Sequence, residues 1–290
     1  MSLPSVSVVV PCYNAEDTLG EQLRALARAG ERWRGEWEVI VADNGSTDRS
    51  REVTESFSGE IPQLRIVDAG GSPGPGHSRN VGAGAAEGDV LLFCDADDRV
   101  DPGWIDALGR ALTEHDFVAS RYETGELNPD WASRRHPQET GLNPYDYPPY
   151  LPHAGGGGLG VHRRLHEEIG GFDENLPALE DTDYCWRLQR AGVEMVYVPE
   201  AVVHIRFRHD LKSIFRQNYS YGRYNVLIYK RYRSFDMPRL SPWAGPARWA
   251  KLLVTWPKVL WPSKRAGWIA QLGWRLGRLD GCVRYGVWAL

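Results

Sequence analysis

Two rhythms of apolar and polar positions alternate along the first part of the chain. Short, mostly apolar runs at 6–10, 39–42 and 90–94 have the length and character of buried strands, and 64–67 reads as a further strand. Between them the spacing becomes helical. Leu19, Leu23 and Leu26 share one face of a helix that Asn14 or Asp17 can cap and Gly30 can stop. Thr47 or Asp48 opens a second helix. A flexible glycine-rich loop at 70–76 leads into a small-residue helix at about 77–86. Trp104, Ile105, Leu108 and Leu112 mark a further amphipathic helix, and 117–122 a further strand. This alternation predicts an α/β fold, a mostly parallel sheet with helices on both faces.

The pattern changes at 123–153, which is rich in Pro, Asn, Tyr and Trp and lacks a clear period. A long stretch of this kind in a compact domain predicts a lid or binding loop. Four consecutive glycines, 155–158, follow; without side chains they let the backbone approach a ligand closely. A helix at 163–169 ends at Gly170-Gly171. Glu180-Asp181-Thr182-Asp183 precedes a helix bearing Tyr184, Leu188 and Ala191, with Asp183 the better suited to cap it. Two strands are expected next, at 193–198 and 202–204. In the tail, 263–290 reads as a helix with Trp268, Ile269, Leu272, Leu276, Leu279 and Val283 on one face, preceded by a broken helix carrying Trp249, Trp256 and Trp261. The expected division is 1–122 as a nucleotide-binding half, 123–209 as the acceptor and base half of the same domain, and 210–290 as a helical, basic, Trp-rich extension.

Charge sharpens this division. The net charge is −4, yet residues 239–290 hold nine Lys/Arg against one acidic residue, Asp280, leaving 25 Lys/Arg against 37 Asp/Glu in 1–238. Seven of the 12 tryptophans also lie in that tail. Tryptophan favours the bilayer–water boundary, and Lys and Arg favour anionic headgroups. The tail is therefore expected to act as an in-plane anchor on an anionic membrane, with packing onto the body or a second subunit as the competing expectation. The acidic body argues against nucleic acid as a partner. Cys12, Cys94, Cys185 and Cys282 are scattered without a CxxC pair and are expected to be reduced. No signal peptide or spanning segment is evident, so the expected location is cytoplasmic, peripheral on the inner membrane face.

The candidate chemistry sits where strands end. Residues 90–98 read VLLFCDADD, an apolar run meeting three carboxylates that repel one another. A divalent cation explains such a gathering, since Mg²⁺ or Mn²⁺ is held by one or two carboxylates with phosphate oxygens completing its shell. A solvated acidic turn is the plainer alternative. Tyr13 and Asn14, Asp43, and Asp95 with Asp97 all follow strands, and ligands of open α/β sheets bind beyond the carboxyl ends of strands.

Taken in order, VSVVVPCYNAEDTL, EVIVADNGSTDRS, GPGHSRNVGAGAAEGDVLLFCDADD, GGFDE, EDTDYCWRLQRAG and VPEAVVH resemble the family 2 glycosyltransferases, over roughly residues 4–230. The resemblance implies the GT-A fold and inverting transfer from a nucleotide sugar, usually a UDP-sugar, with Mg²⁺ or Mn²⁺. It implies that Pro11 and Tyr13 line the base pocket, that Asp43 binds the base, that Arg79 contacts the nucleotide and that Asp95 lies near the ribose. It implies Asp97 and His204 as metal ligands and Asp181 as general base, with Glu180 as neighbour or substitute. Arg216, Gln217 and Arg223 resemble a stretch that closes over the diphosphate. Many relatives carry a polar residue where this chain has Gly158, which leaves the donated sugar open. With the basic, Trp-rich tail, a lipid-linked acceptor is one expectation.

Without the family, His204 on an apolar strand reads as a core histidine, and Asp181 as a helix cap. Two alternative functions stand beside glycosyl transfer. A sugar nucleotidyltransferase also pairs a nucleotide fold with a metal aspartate, but usually opens with a Gly-rich, basic phosphate loop that PCYNAEDTL does not provide. A non-catalytic nucleotide-sugar-binding membrane protein would have little use for an intact DxD and Glu-Asp pair.

Overall fold

The computed structural model describes residues 3–61, 63–133, 142–146 and 148–289. In chain order the strands are β1 (Val6–Cys12), β2 (Trp37–Asp43), β3 (Leu64–Asp68), β4 (Val90–Phe93), β5 (Arg99–Val100), β6 (Phe117–Glu123), β7 (Asn143–Asp146), β8 (Pro149–His153), β9 (Leu159–His162) and β10 (Met195–His204). The α-helices are α1 (Leu19–Gly30), α2 (Ser50–Ser56), α3 (Pro75–Gly84), α4 (Trp104–Ala111), α5 (Asp130–Ser133), α6 (Arg163–Glu168), α7 (Glu180–Arg190), α8 (Leu211–Tyr232), α9 (Ala244–Val254) and α10 (Pro262–Tyr285). They group into two units. The first holds the described residues up to 129 with 142–143 and 152–206; the second holds 130–133, 144–146, 148–151 and 207–289.

The first unit is built on an eight-stranded sheet of order β3-β2-β1-β4-β9-β6-β10-β5. Strands β3, β2, β1 and β4 run parallel, as do β6 and β10. Strand β9 is antiparallel to β4 on one side and to β6 on the other, and so joins the two parallel groups. Because side chains alternate across a strand, the apolar runs feed two cores. Val8, Val39 and Leu92 pack on the face that holds α1 and α4, with Leu23, Leu26, Trp104 and Leu108. Val9, Ile40, Leu91 and Phe93 pack on the other, with Phe172, Tyr184 and Leu188. A strand covered on both faces must be apolar throughout, which is why these runs do not alternate.

Four expectations change here. The two strands foreseen at 193–198 and 202–204 are one, β10, whose pairing with β6 slips between Val198 and Val202; Pro199 falls in that irregularity, where a missing N–H costs no ladder bond. Residues 159–162, given no element between the glycines and the helix at 163–169, form β9. In the stretch without a period, β7 and β8 pair as a two-stranded sheet; residues 134–141 of that stretch lie outside the described part. Neither Asn14 nor Asp17 caps α1, where Thr18 holds the cap position without a side-chain bond; α2 opens at Ser50 rather than at Thr47 or Asp48, with Asp48 Oδ1 accepting from the Ser50 N–H at 3.0 Å.

In the second unit α8 is capped by Asp210, whose Oδ1 accepts from the Ser213 N–H at 2.8 Å. The face that α10 buries is its small-residue side, not the bulky side, which was expected to meet a membrane or, as the competing expectation, to pack onto the body or a second subunit. Ala266, Ala270, Gly273, Gly277 and Gly281 are buried, while Leu279 and Val283 are 43% and 79% exposed. A Cβ on Gly273 would lie 2.6 Å from the Phe215 carbonyl oxygen, one on Gly277 would fall on that of Tyr219, and one on Gly222 of α8 on that of Trp274. The two helices thus touch backbone to backbone, a contact that only small residues permit. No helix among the described residues is long and apolar enough to cross a membrane. All four cysteines are free, three of them buried.

Candidate active site

Parallel pairing sets Pro11 beside Ala42 and Cys12 beside Asp43, so the ends of β1 and β2 lie side by side. Asp43 is 1% exposed. Burial pushes its carboxyl up, but the Ser46 side chain and backbone N–H, together with the Arg51 guanidinium, outweigh burial and hold it below the usual carboxylate range. Asn14 adopts a left-handed φ of 47°, which Asn tolerates. From there its Oδ1 accepts from Thr47 N–H at 2.8 Å and its N–H reaches Ser46 Oγ at 2.9 Å. Tyr13, just before it, is 63% exposed. The 70–76 loop is less free than its composition suggests. The Asn44 amide donates to the carbonyls of Ala69 and Ser72 and accepts from Gly74 N–H at 3.0 Å.

Arg79 on α3 ties the centre together. It is 3% exposed. Its Nη2 donates to Asp95 Oδ1 at 2.7 Å and its Nη1 to Glu180 Oε1 at 2.8 Å, while the guanidinium lies 5.4 Å from the Phe172 ring centroid. Burial alone would favour the neutral form; the charges of Asp95, Glu180 and Asp181 reverse this and raise the pKa, so the group stays cationic. The glycine run serves this packing. A Cβ at Gly156 would lie 2.6 Å from the Arg79 guanidinium carbon, and one at Gly157 2.7 Å from Asp95 Oδ2. The close approach expected there is thus made by the protein's own charged groups.

Asp181 and Glu180 open α7, directly after Leu179, whose φ is 64°. A left-handed leucine costs about 1–2 kcal/mol and persists only where its surroundings enforce it. The turn presents Asp181 so that Oδ2 accepts from Gly156 N–H at 3.1 Å and Oδ1 from Thr182 N–H at 2.7 Å. Glu180 is 6% exposed, and burial, then the charge of Asp181, pushes it up to about 7 against the opposing pull of Arg79. Asp183 is not the cap it was expected to be. It is fully buried and pairs with Arg187 at 2.7 Å, which in turn donates to the carbonyls of Ile169 and Gly171.

Two acidic groups among the described residues have ligand atoms within 4.8 Å of one another: Asp95 with Asp97 and Asp98, and Glu123 with Glu126 and His204. Asp98 is 4% exposed; burial, then the charges of Asp95 and Asp97, pushes it well up. Arg206 braces this turn, its N–H donating to Asp98 Oδ1 at 2.8 Å and its Nε to the Asp97 carbonyl at 3.0 Å. His204, grouped with Asp97 in the sequence reading, stands in the second cluster, its Nδ1 2.9 Å from Glu123 Oε2 and 3.0 Å from Glu126 Oε2. The reason is register: β10 pairs His204 with Glu123 of β6. Arg216, Gln217 and Arg223 lie on α8 of the second unit. Arg223 pairs with Asp280 and lies over the Tyr219 ring; Gln217 donates to Tyr221 Oη at 3.2 Å; Arg216 is exposed.

The site thus brings together Arg79, Asp95, Glu180 and Asp181. Sequence reasoning missed Gly156 and Gly157 as the floor under the Arg79 pairs, Leu179 as the turn, Phe172 under the guanidinium, and Tyr122, whose Oη donates to the Gly155 carbonyl at 2.6 Å. Only the glycines left a visible signal.

A model of glycosyl transferase family 2 matches residues 7–170, and one of glycosyl transferase family group 2 matches 90–274. The chain belongs to glycosyl transferase family 2. This family 2 chain is 28% identical over 232 residues to the pre-mycofactocin glycosyltransferase of Mycobacterium tuberculosis, covering 75% of itself and 46% of that protein. It is 26% identical over 203 residues to the glycosyltransferase AglE of Haloferax volcanii, covering 69% of itself and 66% of that protein. The chain therefore spans only about half the length of the mycobacterial relative. Its fold matches the mannosyltransferase PcManGT of Pyrobaculum calidifontis, solved with GDP-Man and Mn²⁺, at a TM-score of 0.68 and 18% identity over 97% of this chain and 88% of that one. It also matches the glucosyl-3-phosphoglycerate synthase of M. tuberculosis, solved with Mn²⁺, UDP and phosphoglyceric acid, at 0.56 and 20% over 81% and 80%. These likenesses establish the GT-A fold.

Proposed function

We propose that this chain transfers a sugar from a nucleotide diphosphate sugar, with UDP as the favoured nucleotide, to an acceptor hydroxyl by a single inverting displacement. The observation that carries the reading is the Arg79 bridge. One buried cation holds Asp95, at the end of a nucleotide-side strand, and Glu180, next to the base candidate, 2.7 and 2.8 Å from its two nitrogens.

Asp95, Asp97 and Asp98 offer three hard oxygen donors within 4.8 Å of one another, a set that suits Mg²⁺ or Mn²⁺. Asp98, buried beside two like charges, is the kind of group that a cation relieves. When bound, the cation offsets the charge that grows on the departing diphosphate. Asp97 and Asp95 hold it in this reading. Pro11, Tyr13 and Asp43 receive the base, Asp43 as an ionised acceptor. Asp181 accepts the proton of the attacking hydroxyl, a role worth about 10²–10⁴-fold in rate. Its more exposed position and its hydrogen bond from Gly156 N–H favour it over Glu180, which Arg79 engages.

The test is calorimetry of UDP binding with Mn²⁺. Wild-type protein should bind UDP more tightly with Mn²⁺ than without, and Asp97→Asn should lose that gain. Undiminished Mn²⁺-dependent affinity in the variant would overturn the assignment of Asp97.

A further inference from the structure

The second unit carries an exposed apolar surface apart from the residues assigned above to sugar transfer. Of the 13 large apolar side chains exposed among the described residues, 12 belong to this unit, Tyr13 being the exception. Five of them fall within nine residues: Leu253 (66%), Val254 (79%), Trp256 (55%), Leu260 (65%) and Trp261 (53%). Here α9 ends, a 3-10 turn spans Trp256–Leu260, and α10 begins at Pro262.

The corner is fixed from behind. Leu252 is 5% exposed, and its carbonyl accepts from Trp268 Nε1 at 3.1 Å. Pro257 within the turn and Pro262 just after it restrict the backbone there. The five apolar side chains point outward although the chain behind them is packed, so their exposure is not slack in the fold.

Charge says what covers them. From Met237 to Leu279 the sequence holds no Asp or Glu. Lys251, Lys258 and Lys264 flank the corner and are all exposed, Lys264 with its Nζ 5.9 Å from the Trp261 ring centroid. Indole rings among lysines suit the boundary between headgroups and acyl chains. A bilayer also accepts a protruding corner without needing a matching pocket.

We propose that residues 251–264 dock on an anionic lipid bilayer, Leu253, Val254, Trp256, Leu260 and Trp261 entering the headgroup boundary and the three lysines meeting lipid phosphates. This narrows the anchor foreseen over the 239–290 tail to one corner of it, since Trp268, Ile269, Leu272 and Leu276 of α10 are half-buried. It stands independently of the catalytic reading, since every residue in it belongs to the second unit.

The full chain is floated with phosphatidylcholine vesicles, with and without phosphatidylglycerol, at low and high salt. Wild-type protein should float with the phosphatidylglycerol vesicles and be released at high salt. Leu253→Ser/Leu260→Ser should bind at least about tenfold more weakly. Lys258→Gln/Lys264→Gln should lose about fivefold per charge on the anionic vesicles alone. Circular dichroism checks that both variants keep the wild-type melting profile, and should one not fold, the other decides. Wild-type protein that stays off anionic vesicles at low salt overturns the proposal, as does a folded leucine variant that binds like wild type. A wild-type dimer that ignores vesicles and becomes monomeric in the leucine variant would make the corner an interface between copies instead.

Discussion

The two units invert each other's packing. In the first, large side chains are inside: Trp104, Trp186, Tyr184 and Phe93 are fully buried, and the charges taken into the interior, Arg79 and Glu180, are paired there. In the second, the helix pair is closed by glycine and alanine while leucine, valine and tryptophan face outward. A sheet covered on both faces is stabilised by apolar area removed from water. The pair α8–α10 gains little of that on its glycine face and relies on close backbone contact instead. The same residue type therefore behaves differently in the two units: no described leucine of the first is exposed, whereas Leu211, Leu253, Leu260 and Leu279 of the second are.

Four substitutions sharpen or break this contrast. The largest effect is expected at the carboxylates that open α7. Asp181→Asn should lower turnover by about 10²–10⁴-fold, because proton removal is lost, while leaving donor affinity near wild type. Equal loss of donor binding would mean that Asp181 holds the nucleotide sugar rather than the proton. Second, Gly277→Ala adds one methyl group where the Tyr219 carbonyl already sits, and should destabilise by about 1–3 kcal/mol in urea unfolding despite the better helix propensity of alanine.

Third, Glu180→Gln probes the buried charge through pH. The folded-state pKa of about 7 lies above the ordinary glutamate value, so the folded protein binds this proton more tightly than the unfolded chain does. Its contribution is complete below about 4.5 and is lost as pH rises toward 7, by about 1 kcal/mol per unit in that window. The glutamine variant should lack this slope while keeping an oxygen for Arg79, so its stability relative to wild type should improve from pH 5 to pH 7. Parallel curves would remove burial as the dominant influence on Glu180. The smallest effect is expected at Leu279→Ala. It removes a much larger group than Gly277→Ala adds, yet should stay within about 0.5 kcal/mol of wild type because the side chain is exposed. A loss as large as that of Gly277→Ala would show that the outward face is covered in solution.

How legible these features were in sequence depended on which physical signal each one leaves. Strands β1, β2 and β4 were visible because burial on both faces makes them almost wholly apolar, while β3, a half-buried edge strand with Arg65 in it, was marked only by Leu64, Ile66 and Val67. Strand β10 looked like two because Pro199-Glu200-Ala201 interrupts the run, and nothing local tells an irregular strand from a break. Strand β9 has four residues and follows glycines, so no period could reveal it. The packed face of α10 was missed for a specific reason: the helical spacing of bulky residues drew the reading to a membrane-facing side, whereas Gly273, Gly277 and Gly281 have the same spacing and bury the other side. At the site, Asp43, Asp95, Arg79, Glu180 and Asp181 follow recognisable motifs. Their mutual pairing does not: the Arg79–Glu180 contact joins residues 101 positions apart. The neighbours of His204 were hidden similarly, since they depend on the register of β10 against β6.

Strand β9 also sets a clock. It alone pairs with both β4 and β6, so the apolar edge of β4 has no neighbour on that side until residues 159–162 exist. Those residues emerge 66 positions after Phe93 (159 − 93). At about 5–20 residues per second, synthesis leaves that edge open for roughly 3–13 seconds. An exposed, uncharged strand edge is a template for pairing with other chains. Ribosome-bound chains halted between residues 93 and 159 should therefore recruit holdase chaperones more strongly than chains halted beyond 170, and the signal should fall when Leu91 or Leu92 is replaced by lysine.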